Sequence, residues 1–271
     1  MSNLITRAIT GFFFALIVLG SILMGDTVQA VVFGVFLLLG MWEYARLFQN
    51  TEYKQIPLLT TVIGAYIYTI IVFLNLRIIE ATAFYYSIYS LVFVYFLVEL
   101  WRKQKQPIAS IGVFVFGIIY LIIPFGLINK LMTEDENNFP IIIGMILLIW
   151  SNDTFAYLIG RKLGKTPLFE RISPKKTWEG TICGISFTLV TGLLIYYLSG
   201  TYSPLFWFVA ACIVAPTAIY GDLLESLFKR SLNIKDSGKI LPGHGGILDR
   251  FDAVLFTVPF FYLWYLIFNT L

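Results

Sequence analysis

Apolar residues run through this chain in long unbroken stretches, and polar positions fall mostly between them. Nine stretches stand out, at about 8–24, 28–48, 57–76, 81–100, 109–130, 139–159, 180–198, 204–223 and 252–270. Each approaches the ~20 residues a helix needs to cross ~30 Å of hydrocarbon. Helices are required because lipid leaves unpaired backbone groups unsatisfied. Unbroken apolar runs also do not suit the alternating strands of a membrane barrel. The pattern therefore predicts an all-α, polytopic transmembrane protein of nine spans. The first run has the length of a signal peptide. No small-residue cleavage site follows it and eight more runs do, so it is read as a retained helix.

With 58% hydrophobic and 13% charged residues, charge is scarce and its placement is informative. Nine alternating spans put Arg7, Arg46, Lys54, Arg102, Lys103, Lys105, Arg161, Lys162, Lys165, Arg171, Lys175, Lys176, Lys229, Arg230, Lys235, Lys239 and Arg250 on one side. Of the 19 basic residues only Arg77 and Lys130 fall on the other. Basic loops stay in the cytoplasm, so a cytoplasmic N-terminus and an outside C-terminus are expected. The pI near 8.7 follows from this bias and requires no nucleic-acid partner. Cys183 and Cys212 lie in apolar runs without metal-type spacing and are read as small core residues. Tyr85, Tyr86, Tyr89, Trp101, Trp207 and Trp264 suit anchoring at membrane interfaces.

Polar content divides the chain into N-terminal helices over 1–140 and a catalytic region with cytoplasmic polar loops over 141–271. In the first part, Glu43 with Trp42 and Arg46, and Glu99 with Arg102, read as interfacial caps. The acidic run Glu134, Asp135 and Glu136 reads as a solvated outside loop.

The second part carries three polar blocks at or beyond the cytoplasmic ends of its spans. The first opens with Asn152-Asp153, an acid at a depth where acids are costly and usually functional. It continues through Arg161 and Lys165 to Ser173-Pro174-Lys175-Lys176-Thr177-Trp178-Glu179-Gly180. Ammonium and hydroxyl groups at Lys175, Lys176 and Thr177 suit phosphate oxygens, and a helix starting near Thr177 would add its positive dipole end. An ordinary basic loop touching lipid headgroups is the competing reading. In the second block, Asp222 and Glu225 share a face if helical, with Ser226, Lys229 and Arg230 beyond them. Such a face can hold a metal and a phosphate together, or form a salt-bridged helix end.

The third block runs from Lys235-Asp236 through Pro242-Gly243-His244-Gly245-Gly246 to Asp249-Arg250-Phe251-Asp252. Glycines let backbone N–H groups approach anionic oxygens, and Asp249 and Asp252 again stand three apart. Carboxylates of this kind suit Mg²⁺ beside substrate phosphates. His244 is the chain's one histidine. Alone it makes no histidine-rich metal site; it can contact phosphate, orient a carboxylate or shape the turn. Acids for a metal and bases for a polyphosphate are the recipe for phosphoryl or nucleotidyl transfer. No Walker-type loop, Gly-x-Ser-x-Gly elbow or His-Glu-x-x-His is present.

The run from Ser226 through Asp252, with Gly221-Asp222-Leu223-Leu224-Glu225 and the Ser173–Gly180 block, resembles the CDP-diacylglycerol synthases, or phosphatidate cytidylyltransferases. The specific resemblance covers residues 150–252. It implies that CTP and phosphatidate give CDP-diacylglycerol and pyrophosphate at a bacterial cytoplasmic (inner) membrane. It further implies Mg²⁺ held by Asp222 and Asp249, a monovalent cation such as K⁺ as a second ion, and a homodimer. The candidate catalytic residues are then Asp222, Asp249, Lys229 and Arg230. Candidate substrate-binding residues are Asn152, Asp153, Ser173, Lys175, Lys176, Thr177, Glu225, Ser226, Lys235, Asp236, His244, Gly245, Gly246, Arg250 and Asp252. Two other functions compete. A CTP-dependent polyprenol or dolichol kinase-like enzyme would release CDP. An ion-coupled transporter would use intramembrane acids, but transporters carry polar interruptions in both halves, and here they lie in one.

Overall fold

The computed structural model describes residues 3–79, 83–135, 137, 139–238 and 240–270. Residues 81 and 82 of the fourth expected span, Glu136 of the acidic run and the basic Lys239 lie outside them. Among the described residues, nine helices are long and apolar enough to cross a membrane. They are α1 (Asn3–Leu23), α2 (Asp26–Leu47), α3 (Pro57–Asn75), α4 (Ala83–Trp101), α5 (Pro107–Glu134), α6 (Ile141–Leu163), α7 (Trp178–Ser199), α8 (Pro204–Ser231) and α9 (Leu248–Thr270). The one sheet is a hairpin of β1 (Pro167–Phe169) and β2 (Ser173–Thr177). The expected all-α polytopic fold is what the chain adopts.

The chain forms two compact units. The first comprises residues 1–133 with 236–250, the second 134–235 with 251–271. In the first, proline opens α3 at Pro57 and α5 at Pro107, where a missing N–H costs nothing. A π-helical turn over Ile118–Ile122 interrupts α5. Phe33, Leu37, Met41, Ile67, Phe114, Leu121 and Phe125 make its core. On α4 only Tyr95 and Glu99 are buried, so most of its apolar surface is left to face lipid.

In the second unit, Thr177 caps α7 by accepting from Gly180 N at 3.3 Å, and Gly200 closes α7 in the left-handed region. Ser203 caps α8 by accepting from Phe206 N at 3.1 Å. Helices α6 and α7 pack closely because Gly184 carries no side chain; a Cβ there would meet Asn152 O at 2.9 Å. Small residues permit such approach between membrane helices. Trp207 on α8 is fully buried and donates to Thr201 O at 3.0 Å.

Several helices run past their expected ends, and two of these extensions matter. Helix α8 continues from 223 to Ser231, carrying Asp222 to Arg230 in helical register. At 28 residues it spans ~42 Å, longer than the hydrocarbon core. Helix α9 begins at Leu248, not 252, so Asp249 sits in its first turn.

Candidate functional site

The site in the second unit is built by α8, the hairpin and α9. Gly221 lets α9 come against α8: a Cβ there would meet Asp252 O at 2.7 Å and Ala253 Cα at 3.0 Å. That approach brings the neighbouring Asp222 toward Asp252. Ile172 in the hairpin turn packs with Ile219 and Leu223 of α8, supported by Leu168 and Ile185. Ile219 and Leu223 flank Asp222 in sequence, so docking the hairpin here delivers β2 to the aspartate. At its base, the Glu179 carboxylate accepts from Lys165 N (3.1 Å), Thr166 N (3.2 Å) and Thr166 Oγ1 (3.0 Å).

Carboxylate oxygens of Asp222, Glu225 and Asp252 lie within 4.8 Å of one another. Lys176 Nζ stands 2.5 Å from Asp222 Oδ2, and Lys229 Nζ donates to Glu225 Oε2 at 2.6 Å. Ser226 Oγ donates to Asp222 Oδ1 at 3.3 Å. Glu225 is buried, while the Asp222 side chain keeps 38% of its surface exposed. Asp252 also feels the charges of Asp222, Asp153 and Lys229. Like charges held this close repel strongly in a medium of low dielectric. Two lysines against three carboxylates leave a negative excess, to which Asp153 adds.

The donor set fits a hard divalent cation. All three ligand atoms are carboxylate oxygens, which suit Mg²⁺ or Ca²⁺ and not the soft metals. Oxygens on one Mg²⁺ at ~2.1 Å lie ~3 Å apart when adjacent and ~4.2 Å apart when opposite, so a closure of under ~2 Å would gather all three. Lys176 and Lys229 pair with two of these acids, Asp222 and Glu225.

The remaining candidates are distributed as follows. Asn152 is 1% exposed; its Nδ2 donates to Asp153 Oδ1 at 3.5 Å, and its Oδ1 is buried without a hydrogen-bond partner among the described residues. Asp153 is exposed. Ser173 and Lys175 lie on β2, where Lys175 is exposed and Lys176 turns to Asp222. Thr177 serves as the α7 cap. Arg230 folds back to donate to Ile234 O at 3.0 Å, and Lys235 and Asp236 are exposed.

In the first unit, the glycine turn has its own order. Gly243 and Gly245 take positive φ of 76° and 84°, which glycine adopts without strain. Asp249 Oδ2 accepts from Gly246 N at 2.8 Å and from Ser237 N and Oγ, each at 3.0 Å. His244 is partly buried beside Arg250 and Arg7. Loss of hydration, then those two cations, hold its pKa below the ordinary imidazole range. It is therefore neutral at pH 7, the form that contacts phosphate least strongly.

Residues outside the candidate set also enter these arrangements. Glu43 was expected as an interfacial cap. It is instead buried, accepting from Ile247 N and Leu248 N, while Arg46 stacks over Trp42 at 5.2 Å. Glu99 does pair with Arg102, but its carboxylate is buried and accepts from Ser110 Oγ at 2.7 Å. The hairpin was also missed: three-residue and five-residue strands with Pro174 in one give no readable alternation.

Fold and site define an integral membrane protein whose acids and lysines suit a divalent cation and a phosphate-bearing substrate. The sequence matches the cytidylyltransferase family over residues 5–268, and the chain belongs to that family. It is 37% identical over 199 residues to a phosphatidate cytidylyltransferase of Rickettsia typhi, spanning 71% of this chain and 87% of that one. It is 31% identical over 266 residues to one of Haemophilus influenzae, spanning 87% and 89%. To one of Bacillus subtilis it is 37% identical over 161 residues, spanning 59% and 60%. The resemblance drawn from the motifs holds at the level of family, and the chain is an enzyme of nucleotidyl transfer.

Proposed function

We propose that the chain transfers the cytidylyl group of CTP to phosphatidate, giving CDP-diacylglycerol and pyrophosphate. The observation that carries this reading is the meeting of Asp222, Glu225 and Asp252 with Lys176 and Lys229 in a chain of the cytidylyltransferase family. A phosphatidate phosphate oxygen attacks the α-phosphorus of CTP. The new P–O bond forms as the bond to the β-phosphate oxygen breaks, and pyrophosphate carries away that electron pair. Phosphatidate is anionic at neutral pH, so no general base is required and the step makes no demand on His244.

The residues position and neutralise. Asp222, Glu225 and Asp252 would hold Mg²⁺, which when bound supplies charge neutralisation at the triphosphate. Lys176 and Lys229 exchange their carboxylate partners for phosphate oxygens, with Arg230, Lys175 and Arg250 as further cations along the anionic substrates. Asp249 joins this set as a metal ligand on the resemblance, as Asn152, Asp153, Ser173, Thr177, Ser226, Lys235, Asp236, His244, Gly245 and Gly246 join it as substrate contacts. A second, monovalent ion and a homodimer stand on the same footing. So do the assignment of the chemistry to 141–271 and a site facing the cytoplasm across a bacterial inner membrane, where basic loops support that orientation.

The test is the purified full chain in detergent with CTP, phosphatidate and Mg²⁺. Pyrophosphate and CDP-diacylglycerol should appear in equal amounts, and only with all three present. Release of CDP with phosphorylation of a lipid alcohol would replace this reading with kinase chemistry. Absence of either product from folded protein would end it.

A further inference from the structure

Glu43 lies near the end of α2, far in sequence from every motif that points to chemistry. It is 5% exposed. Its Oε2 accepts from Ile247 N at 2.7 Å and Leu248 N at 3.2 Å, with Ser237 Oγ at 3.5 Å. Ile247 and Leu248 carry two of the N–H groups that the first turn of α9 leaves without helical partners. A carboxylate at that end also meets the positive pole of the helix. Glu43 is thus a cap for α9 supplied from about two hundred residues away in sequence.

The segment around it is shaped to admit it. A Cβ at Gly238 or Gly246 would run into the Glu43 carboxylate, and at Gly246 into Ser237 Oγ as well. Ser237 Oγ lies within reach of both Glu43 and Asp249, at 3.5 Å and 3.0 Å. Gly246 N, next to the Glu43-bound Ile247 N, donates to Asp249. Two acids therefore grip adjacent amides and one hydroxyl. Among the described residues no lysine or arginine forms an ion pair with Glu43. An ordinary surface cap would be a small polar residue near in sequence; a buried glutamate on another helix is costly and ties two distant segments.

We propose that Glu43 is a positioning residue of the transfer reaction: it fixes Ser237 and Gly246 to Leu248 and so aims the Asp249 carboxylate and the glycine turn. The proposal rests on the reading of Asp249 and the turn as site residues. Glu43 acts through them and touches no substrate.

The test uses the full chain in detergent, with Glu43→Ala and Glu43→Gln. In Glu43→Ala, amides of residues 245–250 should exchange with solvent at least about 10-fold faster while the other helices keep their protection. Turnover should fall about 100-fold, as a misplacement of about 1 Å at a reacting centre costs, with the KM for CTP changing much less. Glu43→Gln keeps a carbonyl oxygen for the same two N–H groups and should return both readouts most of the way. Wild-type exchange and turnover in Glu43→Ala would overturn the proposal. So would a Glu43→Gln variant with normal exchange but the full loss of turnover, since the charge itself would then be what matters. If Glu43→Ala does not fold, Gly246→Ala presses a methyl on the same carboxylate and must reproduce the faster exchange; normal exchange there overturns the idea. A wild-type chain that makes no CDP-diacylglycerol would sink the proposed function, while the exchange comparison would still judge the cap.

Discussion

Among α1–α5, buried polar side chains pair with one another across helices, although Gln29 Nε2 and Glu99 Oε2 have no hydrogen-bond partner among the described residues. Gln55 donates to Ser110 O at 3.0 Å and accepts from Tyr95 OH at 2.8 Å; Ser110 in turn donates to Glu99, which pairs with Arg102. Asn75 donates to Asn129, and Asn129 to Gln29. In the second unit, three carboxylates crowd together instead, with two lysines against them. Both units bury polar groups, so burial alone does not mark function. A network whose charges are balanced ties a helix bundle together. An excess of one charge on one side of a close cluster stores unfavourable energy, which a bound cation would relieve. The contrast separates scaffold from site.

The sharpest way to break that contrast is to remove one charge from the cluster. Asp252→Asn keeps size and shape, relieves repulsion with Asp222, and should leave the protein as stable or slightly more so. Turnover should fall by about a thousandfold or more, as removal of an essential electrostatic group does. Steady-state assay beside a thermal unfolding curve reads both. A variant of normal activity would show the acids to be only a salt-bridged helix end.

A second, smaller effect comes from spacing alone. Gly221→Ala adds a methyl where Asp252 O and Ala253 Cα leave it no room. Separating α8 from α9 by about 1 Å should cost about 100-fold in turnover, with a rise in the Mg²⁺ needed for half-maximal rate. Metal titration of the variant checks this. An unchanged metal requirement would mean that Asp222 and Asp252 need not approach.

The spans were legible because a lipid solvent demands continuous apolar runs, and no tertiary contact overrides that demand. Asp222 and Glu225 were legible because an i,i+3 spacing has one meaning once the segment is helical. Asp252 was named for its spacing to Asp249, yet it gathers with the carboxylates of Asp222 and Glu225, an approach allowed by the absence of a side chain at Gly221. Lys175 and Lys176 were equal in the sequence; the hairpin separates them, because successive side chains on a strand point to opposite faces. Glu43 was hidden by Arg46, an apparent i,i+3 partner. Trp42 takes that guanidinium instead, and a nearby aromatic was the signal that the pair was not secure.

The least effect on chemistry is expected where the first unit's network is cut. Gln55 is 2% exposed and bonds to both Tyr95 and Ser110. Gln55→Leu keeps volume but takes the acceptor from the Tyr95 hydroxyl and a side-chain donor from the Ser110 carbonyl in the interior. A group left unpaired there costs about 1–3 kcal/mol, so thermal unfolding in detergent should move down by several degrees. The molecules that remain folded should turn over at the wild-type rate, because nothing in this network touches a carboxylate of the cluster. If turnover per folded molecule fell as steeply as in Asp252→Asn, charge-balanced polar sets and charge-crowded ones would not be different kinds of structure, and the division of this chain into scaffold and site would have to be redrawn.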